Sequence, residues 1–63
     1  MFVMVSEFLP ERNIEVILQY TKKGKLTATT AICTEENRWI DTRNNRDITD
    51  DLKFDAVWCN FYI

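Results

Sequence analysis

Residues 14–33 read IEVILQYTKKGKLTATTAIC, two runs rich in β-branched and aliphatic residues on either side of a Lys-Lys-Gly turn. Strand-forming runs bounded by such a turn predict a β-hairpin. Taking Lys22, Lys23 and Gly24 as a three-residue loop, a type I turn closed by a left-handed residue, places the positive φ on Gly24, the single glycine of the chain. That closure sets Thr21 opposite Lys25 and pairs Tyr20 with Leu26, Leu18 with Ala28, Val16 with Thr30 and Ile14 with Ile32 on one buried face. The other face then carries Glu15, Ile17, Gln19 and Thr21 against Ala31, Thr29, Thr27 and Lys25, a mostly polar set, because side chains alternate across a strand. A slip of one residue would exchange the two faces, so the turn decides which residues make the core. The lysines at the tip read as a solvated turn, being too few to track a phosphate backbone.

The rest of the chain reads as strands added to this hairpin. Residues 1–5, MFVMV, form a short apolar run suited to a strand. Residues 6–13, SEFLPERN, connect it to the hairpin through a turn with Pro10 at its second position, and Asn13 is suited to a left-handed conformation. Phe8 and Leu9, the apolar members of this connection, are expected to cap one end of the core. After the hairpin, residues 34–38, TEENR, resemble a second tight connection with Asn37 in the left-handed position. Closing Thr34 on Arg38 puts Ile40 beside Ile32 on the buried face and Trp39 beside Cys33 on the other. Trp39 is then either an interface anchor or a group covered by the N-terminal segment.

Residues 43–53, RNNRDITDDLK, are the polar stretch, a loop or one turn of helix with Thr49 or Asp47 placed to cap it. Their aspartates lack the sixth-position glycine and twelfth-position glutamate of an EF-hand loop, so they read as a solvated charged loop rather than a metal site. Residues 54–63, FDAVWCNFYI, are the most aromatic segment and place apolar groups on both faces. Such a strand either lies centrally, between the hairpin and the N-terminal strand, or offers one face to another molecule.

Composition narrows the function classes. One domain of 63 residues buries about 60% of the surface its unfolded chain exposes, and such a core supplies roughly 3 to 5 kcal/mol, which makes oligomerisation a plausible supplement. A net charge of −2 argues against a general nucleic-acid binder. The absence of histidine removes the commonest general base and the commonest transition-metal ligand. Cys33 and Cys59 lack a CxxC spacing and read as buried thiols of a reducing compartment rather than a zinc site or a disulfide. No run approaches a membrane span, and residues 1–5 lack the form of a signal peptide, so the expected location is the cytoplasm.

Several elements together resemble a known pattern. Val5-Ser6-Glu7-Phe8-Leu9-Pro10-Glu11, then Glu15-Val16-Ile17-Leu18-Gln19-Tyr20, Arg38-Trp39-Ile40 and Ala56-Val57-Trp58 look like the small phage and prophage family called domain of unknown function five-five-one. Two departures stand out: Phe2 or Met4 replaces the family's leading tryptophan, and Cys59-Asn60-Phe61-Tyr62 replaces its M-P-L-P ending. The lost prolines leave the last strand free to pair. The resemblance implies a phage or prophage origin, hence a bacterial host cytoplasm, and a compact β fold, and it brings no catalytic residues.

These readings converge on a mainly β fold, a single small antiparallel β-sheet or SH3-like barrel of four to five strands in a meander, with room for one short helical turn. The expected function is that of a small phage-encoded interaction protein that binds and modulates or inhibits a bacterial host protein, with host defence or host takeover as its setting. The alternative is a structural or self-assembling accessory protein, with a homodimer as its simplest form. No enzyme activity, cofactor, metal, nucleic acid or membrane partner is expected, since nothing assembles a nucleophile, base and stabilising donors. The residues expected to bind the partner are Trp39, Trp58, Phe61 and Tyr62, with Asp50 and Asp51 steering its approach.

Overall fold

The computed structural model describes residues 1–53 and 55–61. Six strands form one antiparallel sheet: β1 (Val3–Met4), β2 (Val16–Lys22), β3 (Lys25–Cys33), β4 (Trp39–Asp41), β5 (Arg46–Asp47) and β6 (Val57–Asn60), in the order β1-β6-β2-β3-β4-β5. The mainly β fold and the single antiparallel sheet are as the sequence predicts. The strand count is one higher than expected because Arg46–Asp47, inside the polar stretch, pairs with Ile40 and Asp41. A 3-10 turn at Thr49–Asp51 follows, and Asp47 Oδ1 accepts the N–H of Thr49 at 2.9 Å ahead of it.

The hairpin is where the sequence says, but its turn is tighter. Lys22 pairs with Lys25 around a two-residue loop, Lys23-Gly24, with φ of 52° and 78°. Two successive left-handed residues define a type I′ turn, whose twist matches that of the strands it joins. Lys23 accepts a conformation the three-residue reading reserved for glycine, and the register of β3 moves by one. Val16 faces Ala31, Leu18 faces Thr29 and Tyr20 faces Thr27. The β2 residues expected in the core are there, while Leu26, Ala28, Thr30 and Ile32 lie on the opposite face from the one predicted. The one-residue shift inverts every assignment downstream. Cys33 does pair with Trp39 and Ile32 with Ile40, yet it is Cys33 and Trp39 that are buried.

The core lies on one face of the sheet and comprises Val16, Leu18, Tyr20, Ala31, Cys33 and Trp39 from the strands before it is closed by later residues. Ile48, Ala56 and Trp58 complete it, with Val3, Val5 and Leu52 packed against its margin. Each fully buried aliphatic side chain contributes about 1.5–3 kcal/mol relative to exposure. Ile48 therefore converts a polar segment into a lid. Its N–H donates to the Trp39 carbonyl at 2.8 Å, and the Trp39 N–H donates to the Thr49 hydroxyl at 2.7 Å, which pins this lid to β4.

The remaining turns follow the side chains that tolerate them. Asn13 and Asn37 have φ of 65° and 64°, as expected of asparagine, and Thr34 closes on Arg38 at 2.8 Å. The chain is not a simple meander: β6 returns across the core to sit between β1 and β2, the central one of the two placements open to the aromatic C-terminal segment. β1 and β5 form the two ends of the sheet, and among the described residues no pairing between them closes it. Among the described residues no helix is long and apolar enough to cross a membrane.

Candidate functional site

In an antiparallel sheet with one face on the core, the other face is ordinarily polar. Here the outer face, opposite the core, is not. Ile17 stands at its centre, with Cys59 on one side and Thr30 on the other. Ile32 and Ile40 pair across β3 and β4, and Val57 lies beside Gln19 on β6. All of these apolar groups are half-buried rather than covered. The same register that brought Cys33 and Trp39 inward turned Ile32 and Ile40 outward.

Next to Ile17 the face sinks into a shallow hollow of about 360 Å³, lined by Ile17, Ala28, Thr29, Thr30, Arg43 and Phe61. Phe61 is 45% exposed at its edge. The rim is polar and ordered. Thr42 donates its hydroxyl to Glu15 Oε2 at 2.5 Å and lies 2.6 Å from the Thr30 hydroxyl. Arg38 Nε donates to Asp47 Oδ2 at 2.8 Å, and this hydrogen bond is the main reason the Asp47 carboxyl is lowered to about 2. An apolar centre with a polar, hydrogen-bonded rim is the anatomy of a protein interface.

Beneath Arg43 lies the one buried carboxylate among the described residues. Asp41 is 3% exposed and accepts from the Thr29 hydroxyl at 3.0 Å, the Arg43 backbone N–H at 2.9 Å and the Arg43 guanidinium at 3.3 Å. Burial pushes its carboxyl up, but the hydrogen bonds from Arg43 and Thr29, with the Arg43 charge, outweigh burial and leave it below its ordinary value. With its lone pairs already occupied, Asp41 is a structural tie between β3 and the loop after β4, not a free base.

The residues expected to bind a partner are not gathered on one surface. Trp39 is 2% and Trp58 8% exposed, so both belong to the core. Trp58 donates its indole N–H to the Phe8 carbonyl at 2.8 Å, satisfying its polar end while its ring is buried. Neither offers the aromatic surface expected of it, because the shifted register of β3 carries Trp39 inward and β6 turns Trp58 to the same side. Phe61 is on the outer face, and Tyr62 lies outside the described residues. Asp50 is exposed and Asp51 half-buried on the 3-10 turn, where Asp51 pairs with Lys22 at 3.5 Å, on the core side of the sheet. Phe8, expected to cap the core, is exposed and contributes its carbonyl instead.

The sequence reading put Ala28, Ile32 and Ile40 on the buried face and so missed them as surface residues, while Ile17 is on the outer face as expected. The signal that would have found them is Lys23-Gly24 read as a two-residue turn. The cysteines are free thiols, Cys33 in the core and Cys59 half-buried on the outer face. Burial raises the Cys33 thiol, partly offset by the charge of Arg12. Among the described residues no three Cys, Asp or Glu side chains converge as a metal site. No family model, no curated protein and no solved structure matches the chain.

Proposed function

We propose that this is a small interaction protein that docks a protein partner on the outer face of its sheet, centred on Ile17 and Phe61. The observation that carries the reading is the apolar character of a face with no intramolecular cover among the described residues, framed by ordered polar pairs. Contiguous apolar surface with a polar rim marks binding surfaces in small soluble domains. The resemblance of the Val5–Glu11 and Arg38–Ile40 elements to a phage and prophage family makes a bacterial host protein the partner, bound so as to modulate or inhibit it.

The face is tested by affinity capture from bacterial lysate with the native chain and with Phe61→Glu and Ile40→Glu. Both substitutions place a charge in the apolar centre without touching the core. A discrete protein captured by the native chain and lost from both variants, at unchanged melting temperature, is the expected result. Retention of that protein by both folded variants would place the interface elsewhere.

A further inference from the structure

The hydrogen-bond ledger of β3 leaves a gap. A two-residue turn makes Lys22 and Lys25 a hydrogen-bonded pair, so along β3 residues 25, 27, 29 and 31 direct their backbone groups to β2. Residues 26, 28, 30 and 32 direct theirs away. On that side β4 begins only at the level of Thr30, whose carbonyl accepts the Thr42 N–H at 2.9 Å, and continues past Ile32 and Cys33. Among the described residues no strand lies beside residues 25–29 on that side. Among the described residues no hydrogen bond reaches the N–H or C=O of Leu26 or Ala28.

The other edges of the sheet are blunted in the usual ways. β1 and β5 are two residues long, and β5 exposes Arg46 and Asp47. The β3 edge carries no proline and no inward charge, with Lys25 alone at its end. An open strand of this kind is a template for another strand.

We propose that residues 25–29 of β3 pair antiparallel with the same segment of a second copy of this chain, across a two-fold axis at Thr27. The observations favour a second copy because the edge is self-complementary. Centred on Thr27, Leu26 of each copy falls opposite Ala28 of the other, and the two pairs form about four hydrogen bonds that use every unpaired N–H and C=O of residues 26 and 28 on both chains. Side chains fit the same symmetry. Leu26 is 73% exposed on the outer face, and the position opposite it is Ala28, which lines the hollow beside Ile17 and Phe61. Each copy thus presents a projecting leucine and a hollow to receive one. The level of β4 fixes the extent of overlap: the hairpin tip of each copy ends where the 42–45 loop of the other begins. The incoming Leu26 takes the hollow beside Ile17 and Phe61, so a second copy and a partner compete there, whereas Ile32, Ile40 and Val57 stay uncovered; the dimer's mass and amide exchange are read without any partner present.

The test is sedimentation equilibrium of the full chain with amide hydrogen exchange. Expected are a species of twice the 7.5 kDa monomer mass and slow exchange at Leu26 and Ala28 that quickens on dilution. Leu26→Lys, a change at an exposed position, should weaken the dimer at least about tenfold while leaving the circular dichroism unchanged. Ala28→Pro removes an N–H that β2 does not use and should act likewise. A chain that is monomeric at millimolar concentration overturns the proposal. So does a dimer that survives Leu26→Lys, or one in which the amides of residues 26 and 28 exchange as fast as those of the monomer.

Discussion

Lys23 holds φ at 52° with a full side chain, and Gly24 follows at 78°. A left-handed conformation costs an L-residue about 1–2 kcal/mol, less for asparagine, whose short polar side chain bonds locally. Lys23→Asn should therefore stabilise the protein by about 0.5–1 kcal/mol, read as a rise in melting temperature. Gly24→Val should lower stability by about 1–2 kcal/mol. No atom lies within 4 Å of a Cβ built at Gly24, so the penalty is conformational rather than a clash. Equal melting temperatures for Gly24→Val and the native chain would refute the type I′ assignment. At the same scale the sequence was legible for Asn13 and Asn37, where the residue type itself announces positive φ. It was not legible at Lys23, a residue with no such preference, whose conformation is imposed by the twist of two long strands.

Among elements, the β2 face and the Cys33–Trp39 pairing were readable from periodicity and turn chemistry, and the two-sided apolar pattern of β6 admitted its central position without deciding it. The face of β3 was not readable, because Lys-Lys-Gly admits both a two-residue and a three-residue closure and the strand TATTAIC has apolar and small residues at both parities. Inverting one strand inverted Trp39 and Ile40 with it, and so moved the candidate site from tryptophans to isoleucines. The lid of residues 48–52 was hidden for another reason: Ile48 stands alone in a charged run, and only the long-range bonds to Trp39 show that it is buried. The N-terminal connection depends on the opposite arrangement, a buried tryptophan reaching out to a loop carbonyl. Trp58→Phe deletes that donor and should cost about 1–3 kcal/mol. Hydrogen exchange should quicken through residues 5–8, where Glu7 and Phe8 donate to the Met4 carbonyl. Unchanged exchange there would show that the loop is held without the indole.

For the whole molecule, Asp41 and Asp47 set the acid limit. Both carboxyls titrate below their ordinary value when folded, Asp47 at about 2. The unfolded chain, with aspartates near 3.9, then binds more protons than the folded one, so stability is fully present above that value and is lost as the pH falls through the folded values. Urea midpoints should be level from about pH 5 to 7 and decline between about pH 4 and 2. In Asp41→Asn the decline should be shallower, from a lower starting stability, since the amide cannot take the place of a charge beneath Arg43. An acid limb of unchanged slope would remove Asp41 from this account.

The place of β6 between β1 and β2 also orders events during synthesis. Of the six strands it leaves the ribosome last, yet among the described residues β1 has no other partner strand and Val16–Gln19 no other neighbour on that side. The earliest strand must wait for the latest before it can pair. Until then the nascent chain carries the β2–β3 hairpin with its β2 edge open, the interval in which a small β protein is most exposed to wrong partners and most dependent on rapid completion.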